Sequence, residues 1–183
     1  MRNFADLKIT ILKEKIKTIV DLKKSYPSLG HDPGLLNGSL GELIADYFIL
    51  TGGDDTYWPA DAGEPNIDGK GKKGRYSVKW WSPNLDTSET SNKISLNDDL
   101  DFDWLVIVTT KSIYKVPRKK IVPPLKGGQG PLPKELREKA IDEGLIAYTQ
   151  QSKVGKKFGI TDSYRNLEIL ETHYKISENY FEN

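Results

Sequence analysis

The chain predicts an α+β fold, with a central mixed β-sheet flanked by helices, from the order of its segments. Two helical segments stand first, short strand-like runs fill the middle, and one of these, "WLVIVTT" at 104–110, is continuously apolar and β-branched. Such a run suits a central strand covered on both faces.

Each element has its own signal. Across 3–26 the residues Phe4, Leu7, Ile11, Leu12, Ile16, Ile19 and Val20 keep helical spacing, and lysines occupy the other face. Asn3 and Asp6 can cap the start. The stretch "YPSLGHDPGLLNG" is turn chemistry, with two prolines and three glycines. A second helix is expected in "SLGELIADYFILTGG", burying Leu40, Leu43, Ile44, Tyr47 and Phe48 and stopping at Gly52-Gly53. Glu42 points away from that stripe, near the first turn. Strands are expected at "TYWP", "PNID" and the strictly alternating "RYSVKWW". Only Lys111 separates "WLVIVTT" from "SIYKVP", which predicts a hairpin. "PPLKGGQGPLP" reads as a loop, after which Pro133 opens a helix to about Ile146. The expected division is a core with its N-terminal helix over 1–125 and a C-terminal helical or mixed extension packed on it over 126–183.

Composition narrows the chemistry. A hydrophobic fraction of 37% and a charged fraction of 29% fit a globular protein. The charged, periodic start predicts no secretory leader, and no apolar run reaches the roughly 20 residues of a membrane span, so a cytoplasmic protein is expected. With no cysteine, disulfides, thiolate metal sites and a Cys nucleophile are excluded. His31 and His173 are too few for a multi-histidine zinc site. A metal would be held by carboxylates and main-chain oxygens, a donor set for Mg²⁺ or Mn²⁺.

Net charge is only +1, but the charges are segregated. Residues 69–81 carry five bases and no acid, and residues 111–126 carry six, again with no acid. Acids gather in "DDLDFD" at 98–103. Two basic stretches in a nearly neutral chain suggest a surface facing a polyanion; exposed solubilising loops are the alternative.

Hydrolysing a phosphodiester requires charge neutralisation at the phosphate and an activated water, which a metal and a lysine can supply together. Ser77 and Lys79 alternate onto one face of "RYSVKWW". If "PNID" pairs with that strand through the Gly-rich turn, Asp68 comes near both. Asp68-Gly69 is also a common turn pair, Lys79 could be a solvated strand residue, and Glu42 suits an early helical turn anyway. Their combination in chain order favours a site.

"GSLGE", "PNID" and "SVK" together resemble the PD-(D/E)xK superfamily of restriction-endonuclease-like nucleases. "DWLVIV" at 103–108 and "VPR" at 116–118 extend the likeness to roughly 37–121. The resemblance implies a restriction-endonuclease-like core and a Mg²⁺- or Mn²⁺-dependent DNA endonuclease of restriction or genome-defence type. It makes Asp68 the principal metal ligand, Glu42 the helix-borne acid completing the metal site, and Lys79 the catalytic lysine. Ser77 departs from the pattern, since Glu is the commoner residue there. Either Glu42 or Glu64 replaces the missing carboxylate, or the domain binds DNA without cutting it.

On this reading Lys70, Lys72, Lys73 and Arg75 lie beside the metal centre and contact phosphates, with Arg118 and Lys119 as a second such edge. Trp81 shares the Lys79 face and could stack on a base, although packing is the preferred role for both Trp80 and Trp81. Cutting both strands calls for a homodimer or for sequential nicking. The stretch 149–170 has some look of a helix-turn-helix, but its second helix fits poorly; a loop with a strand or helix on the main sheet is preferred.

Overall fold

A computed structural model describes residues 4–30, 32–60, 67–82, 94–97, 101–122, 134–150, 157–160 and 165–181. Helix α1 (Phe4–Ser25) and helix α2 (Asn37–Thr51) come first, joined by two 3-10 turns. Pro27 and Pro33 lie in the first turns of those segments, and Gly30 supplies a left-handed backbone at φ 74°. Strands β1 (Trp58–Pro59), β2 (Gly69–Gly71), β3 (Gly74–Trp80), β4 (Ile94–Asn97), β5 (Trp104–Val108), β6 (Ser112–Pro117) and β7 (Ile121–Val122) follow. Helix α3 (Lys134–Glu143), strands β8 (Ile146–Gln150) and β9 (Lys157–Ile160), helix α4 (Asn166–His173) and strand β10 (Lys175–Glu178) complete the order.

Six strands form a mixed sheet in the order β1-β2-β3-β5-β6-β10. The β3–β5 pair is parallel, with Ser77 opposite Leu105 and Lys79 opposite Ile107, and the other pairs are antiparallel. A second sheet runs β4-β9-β8-β7. The first sheet is covered on both faces. Tyr76, Val78, Val106, Val108 and Ile113 pack against Ile16, Leu40 and Ile44 of the two long helices. Leu105, Ile107, Tyr114 and Val116 pack on the other side against Ile94, Leu96, Ile121, Ile146 and Ile160 of the second sheet and Ile169 and Leu170 of α4. β5 is therefore the doubly covered strand that its apolar run predicts, and β5–β6 is the expected hairpin.

Several expectations need correcting. "PNID" is not a strand where it is described: β2 begins at Gly69, Asp68 precedes it, and 65–66 lie outside the described residues. The helix expected to reach Ile146 stops at Glu143, because Gly144 takes φ 65° and Ile146 opens β8. Residues 157–160 form a strand, β9, as the preferred reading of 149–170 allows, but it lies between β4 and β8 in the second sheet and not on the main one; the part at 151–156 lies outside the described residues. Strands from both sides of residue 125 contribute to each sheet, β10 beside β6 and β8 and β9 between β4 and β7. No helix among the described residues is long and apolar enough to cross a membrane.

Candidate active site

The β2–β3 ladder gives out at Gly69 opposite Tyr76, and Asp68 stands just beyond it. There Asp68 Oδ2 accepts the Val78 N–H at 2.6 Å, where a continued strand would offer a carbonyl. The same oxygen accepts the Ser77 hydroxyl at 3.2 Å and meets Lys79 Nζ at 3.4 Å. No described residue donates to Oδ1. The Asp68 and Lys79 side chains are 28% and 32% exposed, so water can reach the pair. The expected convergence of Asp68, Ser77 and Lys79 is thus present, and it rests on the period-two alternation of β3.

Glu42 lies on the second turn of α2, later in the helix than its sequence suggests, and is exposed. Partial burial pushes its carboxyl up, the negative charge of Asp68 pushes further, and Lys79 opposes both. Glu42 therefore shares the electrostatic field of the pair, although no hydrogen bond or ion pair joins it to either among the described residues. Three or more acidic or histidine groups close enough to hold a metal ion do not occur together among the described residues. Glu64 lies outside them.

A third acid escapes the sequence reading. Asp46, one turn beyond Glu42, is only 8% exposed, and its Oδ1 accepts the Tyr57 hydroxyl at 2.5 Å. Burial pushes its carboxyl up to about 6; the Tyr57 hydrogen bond opposes that rise, and the charges of Glu42 and Asp68 reinforce it. The available signal was an acid inside the otherwise apolar run "LIADYFIL".

Tyr57 also explains Gly69. A Cβ at that position would lie 2.2 Å from the Tyr57 hydroxyl oxygen, so the ring lies against the strand just beside Asp68. Gly69→Ala is expected to displace Tyr57 and destabilise the fold by about 1–3 kcal/mol, as overpacking does. Thermal unfolding of the variant measures this.

The basic loop stands elsewhere. Lys73 stands six positions before Lys79 along β3, about 20 Å at roughly 3.3 Å per residue. Lys73 is therefore not beside Lys79, whereas Lys70 stands two residues from Asp68. It is tied down by Asp54, whose carboxylate accepts the N–H groups of Lys72 and Lys73 and the hydroxyls of Thr56 and Tyr76. Burial raises the Asp54 pKa, but these four donors outweigh it and hold the carboxyl below its ordinary value. Lys72 pairs with Asp55, Lys73 Nζ donates to the Gly52 carbonyl at 2.9 Å, and Arg75 meets Asp101 at 2.6 Å and Asp103 at 3.7 Å. Lys70 is exposed.

Asp103 also joins the two basic stretches, since its N–H donates to the Arg75 carbonyl and its carbonyl accepts from the Arg118 N–H. Arg118 is half-buried and Lys119 exposed at the same end of the sheet. Part of the acidic run at 98–103 therefore neutralises base that was expected to face a polyanion. Trp81 is 2% exposed and packs with Ile94, Leu96 and Phe102, so it offers no face to a base. Trp80 is half-buried against Gly41, with Lys23 Nζ 5.0 Å from its ring centroid.

Comparison of the chain with family models, with curated proteins and with solved structures finds no match.

Proposed function

We propose that this chain is a metal-dependent DNA endonuclease with a restriction-endonuclease-like core of the PD-(D/E)xK type. The observation that carries the reading is the meeting of Asp68, Ser77 and Lys79 at the end of the β2–β3 ladder, in the field of Glu42. The donor set fits a hard divalent cation. Asp68 Oδ1 takes no described hydrogen bond, Glu42 is exposed, and bringing two carboxylates into one field favours a cation between them. Asp68 and Glu42 would hold Mg²⁺ or Mn²⁺. Such an ion supplies charge neutralisation at the phosphate and a more acidic water. Lys79 presents its ammonium to a phosphate oxygen and orients the attacking water; Ser77 and the Val78 N–H fix the Asp68 carboxylate.

Plasmid incubated with the purified protein and Mg²⁺ tests the assignment. Cleavage should be lost on chelation and fall about 10²- to 10³-fold in Lys79→Ala, the scale for removing one preorganised electrostatic contact. Unchanged cleavage in that variant would refute the role given to Lys79.

One observation favours a second reading, a nuclease-fold module that binds DNA without cutting it. Ser77 stands where a carboxylate is usual, and the described residues lack a three-acid cluster. Salt-dependent DNA retention, with no magnesium binding by calorimetry, would establish it.

The basic loop fits a duplex lying along the hairpin. A separation of about 20 Å spans roughly six nucleotides at 3.4 Å each. Lys70→Ala with Lys73→Ala should weaken DNA retention and reduce the salt slope by about two, leaving the rate at saturating DNA unchanged. Filter binding across a salt series checks this.

A further inference from the structure

Between α1, the second half of α2 and β1 lies a cavity of about 260 Å³ that the proposed cleavage chemistry does not use. Ile11, Leu12, Leu50 and Pro59 form apolar walls, with Trp58 at one side. Its polar groups are few and differ in character. Asp46 and Tyr57 contribute an acceptor-rich wall, while Lys8 and Lys15 place positive charge beside it. Lys8 is held in position, its Nζ donating to the Tyr57 carbonyl at 3.2 Å and standing 4.1 Å from the Trp58 ring centroid.

From these features we infer that the cavity is a nucleotide pocket, taking the base against Trp58 with its N–H edge toward Asp46 and the phosphate at Lys8 and Lys15. The volume is just below the roughly 300 Å³ at which pockets for drug-sized ligands begin, so it encloses one base and leaves the sugar and phosphate toward solvent, where Lys15 is exposed. A carboxylate accepts hydrogen bonds and cannot donate them, and no described residue donates to Asp46 Oδ2, so the matching edge carries N–H groups. Guanine, with adjacent ring and exocyclic N–H donors, fits that requirement better than uracil, which has one. Trp58 is 54% exposed, a large apolar ring available for stacking. The two lysines match an anionic substituent and disfavour a neutral one.

The choice of a nucleotide over other anionic aromatic molecules rests on the nuclease reading. Asp46 links the two places, because it lines the cavity and stands one helical turn from Glu42 on α2. The pocket would then hold a splayed or terminal base of the same nucleic acid whose backbone reaches Lys79, making unpaired or frayed ends the preferred substrate class.

Isothermal titration of the full chain with guanosine 5′-monophosphate, without divalent metal, tests the pocket. Saturable binding is expected, weakened at least about tenfold in Trp58→Ala and in Asp46→Asn. Uridine 5′-monophosphate should bind more weakly, and ribose 5-phosphate more weakly still. Ribose 5-phosphate binding as tightly as the nucleotide would mean that the lysines merely collect phosphate, and would overturn the inference. So would an isotherm unmoved by Trp58→Ala, an exposed position that does not endanger folding, or no binding at millimolar nucleotide. Plasmid cleavage without nucleotide binding removes the pocket alone; nucleotide binding without cleavage removes the nuclease reading and leaves the pocket standing.

Discussion

Asp68→Asn is expected to abolish magnesium binding by calorimetry and to lower plasmid cleavage by about 10³-fold, equivalent to about 4 kcal/mol of transition-state stabilisation. The amide is the informative replacement. Its carbonyl oxygen can still accept the Val78 N–H and the Ser77 hydroxyl, which the Asp68 carboxylate now receives at 2.6 and 3.2 Å. The end of the β2–β3 hairpin is thereby kept, and only the negative charge is withdrawn. Asp68→Ala would confuse the two effects, because the orphaned Val78 N–H alone costs about 1–3 kcal/mol. If Asp68 served only to terminate the ladder, the amide variant would bind magnesium as the parent does and cleave at the parental rate.

The second large effect concerns stability. Asp46 is buried with its carboxyl pushed up to about 6 from an ordinary 3.8, burial being the main cause. A tenfold change in proton affinity corresponds to about 1.36 kcal/mol, so the ionised group opposes folding by about 3 kcal/mol. The sign follows from proton linkage. Below pH 3.8 the acid is protonated in both folded and unfolded chains and contributes nothing. Between 3.8 and about 6 the folded chain holds the extra proton, so stability falls as pH rises; above about 6 the full penalty is present. Asp46→Asn should therefore be more stable than the parent by up to about 3 kcal/mol at about pH 7.5, with the gap closing toward about pH 4. Urea unfolding at the two pH values measures it. Comparing variant with parent cancels the opposite contributions of Asp54 and Glu171, whose carboxyls lie below their ordinary values despite the upward push of burial. A gain in stability accompanied by lost nucleotide affinity would identify an acid retained for ligand binding at the expense of the fold.

What could be read from the sequence was what depends on local periodicity. The alternation of β3 aligned Ser77 with Lys79, and the Gly-rich turn brought Asp68 to them, because both are properties of one hairpin. The doubly covered β5 followed from its composition in the same way. The errors lie where distant segments meet. Nothing near Trp81 indicates that Ile94, Leu96 and Phe102 cover it. The basic loop looked available because Asp54, Asp55, Asp101 and Asp103, which engage it, come from other parts of the chain. Asp46 was masked by its apolar neighbours, and its importance appears only with Tyr57 folded over Gly69. The strand at Lys157–Ile160 is set by pairing with Ile94–Asn97 and Ile146–Gln150, and sequence spacing alone does not reveal such partners.

The interleaving of the two sheets has a consequence for how this molecule is made. Ile94–Asn97 and Ile121–Val122 wait for partners that are synthesised 25 to 66 residues later, and Ser112–Pro117 waits for Lys175–Glu178. A nascent chain halted midway would carry bare strand edges and uncovered isoleucines, the features that make intermediates aggregate. The hairpin bearing Asp68 and Lys79 needs only the neighbouring Trp104–Val108 to dock, so the chemical groups can assemble while the structure that shields the far face is still being translated.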